Sequence, residues 1–338
     1  PFKFKAALLS RLKIMAELDI AERRVPQDGR IKIKVVNRTI DLRVSSLPTI
    51  FGEKIVMRIL DKTNLNIDLE KLGFEPRAMK EFCSAIASPY GMVLVTGPTG
   101  SGKTTTLYSA LSRINTPEVN VLTAEDPVEY NLKGINQVQI HEEIGRTFAA
   151  VLRSFLRQDP DVILVGETRD LETAQIAIRA ALTGHLVFST VHTNDAASTI
   201  TRLVDMGIPP FLVASSLLQI VAQRLARVVC NQCKEPYEAD EESLVPYGHV
   251  PQGLGKILLY KGKGCQGCNF TGFRGRVALF EVMPVTQEIR DLILRGAHPS
   301  EIREVASQQG VKTLRQAGLV KVIEGITTVK EILRVTLE

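Results

Sequence analysis

Residues 91–110 read GMVLVTGPTGSGKTTTLYSA, and this stretch decides the fold. Residues 92–96 (MVLVT) form a short, wholly apolar run of the kind found in a strand buried on both faces, and the residues after Thr104 read as a helix. Between them Gly97 to Thr104 matches G-x-x-x-x-G-K-[ST], in the strand–loop–helix context its mechanism requires. Glycines let backbone N–H groups converge on a phosphate, and the helix N-terminus adds positive potential. Lys103 then neutralises the outer phosphates and the Thr104 hydroxyl is placed to ligate magnesium. Gly97, Pro98, Thr99, Gly100, Ser101, Gly102, Lys103, Thr104 and Thr105 are therefore the candidate nucleotide contacts. The plainer alternative is a Gly-rich turn with a solvated lysine, although a chance match is on the order of one in a hundred for a chain of this size.

Outward from this loop, apolar strands alternate with amphipathic helices, the pattern of an α/β domain whose parallel sheet is covered on both faces. Further strands are predicted at 119–124, 162–165 and 186–191. Phe148, Val151, Leu152, Phe155 and Leu156 recur at helical spacing, Asp170 caps the next helix and Gly184 ends it. Ligands of open parallel sheets bind beyond the carboxyl ends of the strands. There the second strand runs into Glu125 and Asp126, the third into Glu167 and the fourth into His192. Glu167 follows four apolar residues and is the first choice for orienting or deprotonating an attacking water. Glu125 and Asp126 are candidates for holding magnesium through water or sensing a terminal phosphate, with a helix cap or surface ion pair as the alternative. His192 lies at the active end of its strand, whereas His185 lies at the opposite end, as a hydrogen-bonding residue at the strand start.

Before the loop, residues 1–19 have the pattern of a helix, with Ala7, Leu8, Leu12, Met15 and Leu18 near one stripe. A turn at 26–29 and strands around Ile31–Val35, Ile40–Val44 and 54–60 complete a small α/β domain over 1–61, with Asn37-Arg38 closing a hairpin. Residues 62–75 read as a linker and 76–338 as the larger domain, whose last part, 284–338, breaks into short helices. In the small domain Arg43 and Arg58 occupy alternate, non-apolar strand positions, so they share a face with Lys32 and Lys34. A guanidinium there can neutralise charge on a transferring phosphoryl group, unless the face is simply solvated.

Lys plus Arg total 42 against 37 Asp plus Glu in 338 residues, too small an excess for a chain-wide nucleic-acid coat. No apolar run approaches the roughly 18–20 residues that cross a bilayer, and no secretory signal opens the chain, so a soluble intracellular protein is expected. It starts at Pro1 rather than Met, as a piece of a longer chain would. Four of its five cysteines form the pairs Cys230-x-x-Cys233 and Cys265-x-x-Cys268, within an element spanning 226–276. In a reducing compartment four thiolates on two tight turns suit structural zinc, with a disulfide pair or an iron–sulfur cluster as alternatives. Cys83 is left as an unpaired thiol.

Residues 91–110, 122–130 (LTAEDPVEY), 159–170 (DPDVILVGETRD) and 182–195 (LTGHLVFSTVHTND) resemble the Walker A, Asp box, Walker B and His box of the secretion and pilus ATPase superfamily. The tetracysteine element and residues 43–60 (RVSSLPTIFGEKIVMRIL) are most similar to its type IV pilus extension ATPases, with type II secretion ATPases as near relatives. The resemblance implies a RecA-like ATPase domain, a PAS-like N-terminal domain and a homo-hexameric ring. It implies ATP with magnesium, zinc on the four cysteines, and an inner-membrane platform protein as partner at the cytoplasmic face of that membrane. By the same resemblance Glu167 is the catalytic acid, Glu125 and His192 belong to their boxes, and Arg43 and Arg58 reach the phosphates. Two other readings compete. A RecA-like DNA motor is disfavoured because only 18 residues are aromatic and none is Trp, so stacking platforms are scarce. A regulator that binds nucleotide without turnover is disfavoured by the presence of both Lys103 and Glu167.

Overall fold

The two periodicities read from the sequence segregate into two units in the computed structural model, Pro1–Leu65 and Asn66–Glu338. It describes residues 2–35, 38–60, 68–240, 244 and 255–336. The Asn37 half of the expected hairpin turn, Asp61 at the end of the expected small domain and residues 62–67 of the expected linker lie outside the described residues.

In the first unit a helix, α1 (Lys5–Met15), precedes β1 (Gln27–Val35), β2 (Arg38–Leu47) and β3 (Lys54–Leu60), which form an antiparallel sheet in that order. Ala16, Ile31 and Val44 are its buried apolar residues, flanked by Leu12, Leu18, Ile33, Leu42 and Ile55. The helix is shorter than the expected 1–19, and Leu8 and Met15 of the expected stripe are exposed. The buried position is taken instead by Lys13, 1% exposed, whose ammonium pairs with Glu53 and donates to the Glu22 carbonyl at 2.7 Å. Pattern counting places a lysine at the surface and so misses a helix face organised by an ion pair.

The second unit begins with α2 (Pro76–Ile86), β4 (Gly91–Thr96), α3 (Lys103–Ile114), β5 (Val121–Glu125), β6 (Asn136–Gln139), α4 (Phe148–Phe155) and β7 (Val162–Val165). It continues through α5 (Leu171–Leu182), β8 (Leu186–Val191), α6 (Ala196–Asp205), α7 (Pro210–Ser216) and β9 (Leu217–Val229). Then come β10 (Lys234–Asp240), β11 (Lys256–Gly262), β12 (Phe273–Pro284), α8 (Gln287–Leu294), α9 (Pro299–Gln308), α10 (Leu314–Ile323) and α11 (Val329–Val335). Seven strands form one sheet in the order β12-β9-β4-β8-β7-β5-β6, parallel except for the β12–β9 edge pair. All four predicted strands lie in it, within two residues of the expected bounds. Met92 and Leu94 face one apolar layer with α5, α6 and α7, while Val93 and Val95 face the other with α2 and α3. Each such side chain buried on folding contributes about 1.5–3 kcal/mol before entropy is charged against it. Among the described residues no helix is long and apolar enough to cross a membrane.

Candidate functional site

β4 ends at Thr96 and α3 begins at Lys103, so the six residues between must turn sharply against the sheet edge. Gly97 (φ +147°) and Gly102 (φ +92°) adopt backbone conformations that L side chains rarely reach, and both lack room for one. A Cβ at Gly97 would sit 2.5 Å from the Gln223 carbonyl, and one at Gly102 2.8 Å from the Gln223 Nε2. The Lys103 ammonium folds over the loop, donating to Gly97 O at 2.6 Å and Pro98 O at 3.2 Å. Burial, with the nearby Arg224 charge adding to it and Glu167 opposing it, brings the Lys103 pKa down to about 8. Ser101 is buried, and its hydroxyl oxygen has no hydrogen-bond partner. A donor left unsatisfied inside a loop of converging N–H groups fits a phosphate oxygen. Thr104 is exposed in the first turn of α3, open to a hydrated cation.

Glu167 follows β7, and its carboxylate is gripped at both oxygens. The His192 Nε2 donates to Oε1 at 2.9 Å and the Arg169 Nη2 to Oε2 at 2.6 Å. Burial pushes the Glu167 pKa up, but the Arg169 hydrogen bond and charge, with His192 and Lys103 beyond it, outweigh burial and hold it below the usual carboxylate range. The carboxylate is thus an anion at neutral pH, oriented by two donors and keeping a lone pair on each oxygen for a third. Behind it hydroxyls lock the strand tips together. Thr190 Oγ1 donates to Gly166 O at 2.7 Å, and Thr96 Oγ1 and Thr193 Oγ1 lie 2.6 Å apart. Lys103, Glu167 and His192 are therefore brought together by β4, β7 and β8, adjacent strands in the sheet.

Glu125 is placed differently. It is 3% exposed at the end of β5, and its carboxylate accepts from Tyr108 Oη, Thr123 Oγ1 (2.6 Å) and Gln137 Nε2 (3.1 Å). Thr123 and Glu125 share a strand face by two-residue alternation, and that face packs on α3. Asp126 contributes to the field at Arg169. His185 Nδ1 donates to the Ala180 carbonyl, 3.0 Å away, at the start of β8 as expected. Arg43 and Arg58 belong to the first unit, directly opposite each other across β2 and β3, with Arg30 opposite Arg43 on β1. Sequence reasoning missed Arg169, whose signal was an arginine two residues past the acid, and Arg224, which sits in a strand it did not identify.

The cysteine pairs meet at the base of an antiparallel β10–β11 hairpin. All four thiols are free, and their sulfurs lie within 4.8 Å of one another. The Cys230–Cys265 and Cys233–Cys268 separations are 3.9 Å and that of Cys265–Cys268 is 3.7 Å. Sulfurs bound at about 2.3 Å around a tetrahedral zinc stand about 3.8 Å apart, so the set fits that ion and is too open for disulfides. The Cys265 N–H (3.2 Å), helped by that of Gly272 (3.3 Å), draws the Cys268 pKa down to about 6, while burial and the neighbouring thiols push that of Cys233 up to about 11, so the four sulfurs share charge unevenly. Cys83 stands apart on α2, its sulfur 3.7 Å from that of Met79.

Among known proteins, the family model described as Type II/IV secretion system protein matches residues 1–334. The chain is 57% identical over 334 residues to "Type IV pilus assembly ATPase PilB" of Myxococcus xanthus (strain DK1622), covering 98% of this chain and 59% of that protein. It is 50% identical over 336 residues to "Type II secretion system protein E" of Pectobacterium carotovorum subsp. carotovorum, covering 99% of this chain and 66% of that one. The chain thus spans less than two thirds of the length of these relatives. Among solved structures, the pilus retraction motor PilT with bound ADP superposes with a TM-score of 0.65 at 29% identity, over 92% of this chain and 77% of that one. The Yersinia pseudotuberculosis ATPase DotB shares the fold at a TM-score of 0.69 and 23% identity, over 97% and 81% of the two chains.

Proposed function

Because the chain belongs to the Type II/IV secretion system protein family, we propose that it is the ATP-hydrolysing part of a motor for type IV pilus extension. The observation that carries this reading is the Glu167 carboxylate, held by His192 at 2.9 Å and within electrostatic reach of Lys103 on the phosphate loop. The likeness to a solved motor with bound ADP supports the same nucleotide.

In this reading residues 97–105 hold the triphosphate, and Thr104 would hold a magnesium ion that would supply charge neutralisation there. Glu167, anionic and fixed in direction, accepts a hydrogen bond from the attacking water and turns its oxygen toward the terminal phosphorus. Lys103 stabilises charge that moves toward the leaving oxygen. His192 keeps Glu167 oriented and lies beside the terminal phosphate. Glu125 acts through its buried network, fixing the α3 helix that carries Lys103 by way of Tyr108. Arg43 and Arg58, opposite each other on neighbouring strands, are cations that would reach the phosphates and take up their charge. The domain assignment proposed is a PAS-like 1–61, a linker 62–75 and a RecA-like 76–338. Within the last lie a zinc element at 226–276 and a helical region at 284–338. The working assembly proposed is a homo-hexamer that drives an inner-membrane platform protein from the cytoplasm, with no direct nucleic-acid contact.

Glu167→Gln tests the chemistry. Turnover should fall by at least about a hundredfold while ATP still binds, because the amide keeps the shape and loses the charge. Unchanged hydrolysis in a folded variant overturns the assignment. A second reading, type II secretion, is favoured by the 50% identity to a secretion protein E. Complementation of strains deleted for either system, scored for piliation and for secretion, separates the two.

A further inference from the structure

Strand β9 overshoots its neighbour. Thr96, the last residue of β4, is paired with Ala222, so Gln223 and Arg224 run on past the strand end and flank the phosphate loop. Gln223 lies on the α3 side, accepting from Thr106 Oγ1 at 2.9 Å. Arg224 lies on the other side. Its Nη2 donates to Asn194 O at 3.0 Å and to Asn194 Oδ1 at 3.2 Å, and its Nη1 donates to Gln223 O at 3.1 Å. The same Nη1 is 3.2 Å from where a Gly97 Cβ would stand. Among the described residues Arg224 forms no ion pair. It is held half-buried near Lys103, a like charge, and within the field of the Glu281 and Asp195 carboxylates, which favour its charge against burial. The fork of acceptors on Asn194 and Gln223 holds it there, and a planar guanidinium suits such a fork where an ammonium does not. Asn194 is two residues beyond His192, and His192 grips Glu167.

We infer that Arg224 is a positioning residue that clamps the phosphate loop to the 192–195 segment, so that Lys103 and the Glu167–His192 pair close on one nucleotide. The inference deepens the ATPase reading and rests on it. The clamp acts through geometry, so its loss lowers the rate of the bound complex more than it weakens binding. A misplacement of about 1 Å at a reacting centre costs on the order of a hundredfold in rate.

The test compares the whole chain with Arg224→Gln and Arg224→Lys. It measures steady-state ATP hydrolysis, binding of a fluorescent ATP analogue, and amide hydrogen exchange without nucleotide. The expected result in both variants is kcat lower by at least about tenfold, with KM and the analogue Kd within about threefold. Exchange should quicken in peptides covering 97–102 and 192–195, with the remaining sheet unchanged. Wild-type kcat in Arg224→Gln overturns the clamp. So does full rescue by Arg224→Lys, which would make charge alone sufficient, or a loss of binding equal to the loss of kcat, which would make Arg224 an ordinary phosphate ligand. Should the wild-type chain fail to hydrolyse ATP, the ATPase reading falls by itself. The exchange arm still decides the clamp, with faster exchange supporting it and unchanged exchange overturning it.

Discussion

The first unit carries 14 Lys plus Arg against 7 Asp plus Glu, and the second carries 28 against 30. The same contrast holds inside. Among the described residues of the first unit three small or medium apolar side chains, Asp41, Ser46 and one Lys13–Glu53 pair form the interior, whereas the second buries two apolar layers on a seven-stranded sheet. That thin core backs a charged sheet face, where Arg30, Arg43 and Arg58 stand in one row across the three strands. The thick core can carry costly features such as a strained glycine loop, a half-buried lysine and an oriented carboxylate. The difference teaches where a strand-end pocket is held in register, on the parallel sheet buried on both faces.

The largest effect expected is at the four-cysteine knuckle of the second unit, whose hairpin reaches the larger apolar layer through Ile257 and Leu259. Removing zinc with a strong chelator, or replacing Cys268 by Ser, should unfold the knuckle locally, because structural zinc sites supply about 10–16 kcal/mol of apparent binding energy. Hydrogen exchange should rise over 230–233 and 264–272 while β4 and β8 stay protected. Elemental analysis should find close to one zinc per chain. Metal-free protein with the same protection would break the distinction between knuckle and core.

Next comes Lys13→Ala in the first unit. It strands the Glu53 carboxylate, which is 8% exposed and otherwise bonded to Ser46 Oγ at 3.1 Å. Breaking one side of a buried pair costs about 3–5 kcal/mol. In a unit with so little apolar burial that should melt α1 and the three strands, read as lost exchange protection below residue 60 alone. Loss spread evenly over both units would mean that their stabilities are not separate.

Smaller again is the pH response of the second unit. Glu281 accepts from the Ala196 N–H at 2.9 Å and the Leu314 N–H at 3.2 Å, joining the starts of α6 and α10. Burial raises its pKa to about 7 against those two donors. The folded state therefore binds this proton more tightly than the unfolded one, so stability is fullest below about 4.5 and declines as pH rises toward 7. Glu281→Gln should remove that slope, on the order of 2–3 kcal/mol across the window. Denaturant melts at pH 5 and 8 check it, and an unchanged slope would assign the titration elsewhere.

Much of the second unit could be read in advance because short apolar runs and the glycine–lysine loop obey local rules. Lys103, Glu167 and His192 were legible as strand-end residues. Their shared pocket followed from the parallel order. Three things were not legible. β9 has apolar residues at spacings that suit a helix as well as a strand, and its pairing with β4 is settled only by the sheet, so Arg224 stayed hidden. Glu125 was grouped with the other strand-end acids because its face depends on parity within β5 and on Tyr108 opposite. Lys13 was hidden by its charge, since the partner that permits its burial lies 40 residues away in sequence.

The smallest effect separates folding from function within the second unit. Asp170 caps α5, its Oδ1 accepting the Thr173 N–H at 2.8 Å and its Oδ2 the Thr173 hydroxyl at 2.9 Å. It stands three residues after Glu167, as near in sequence to the oriented carboxylate as Arg224 is remote from it. A lost cap costs about 1 kcal/mol, felt where the helix starts and spread into its packing. Glu167 is held by the side chains of His192 and Arg169, whereas the Asp170 carboxylate bonds Thr173. Asp170→Ala should accordingly lower the melting temperature by a few degrees, about 2–4 °C for a domain of this size, and leave kcat within about twofold. The Arg224 variants should show the reverse, full stability with slow turnover. A slow Asp170→Ala enzyme would mean that the start of α5, and not the strand tips alone, sets the direction of Glu167.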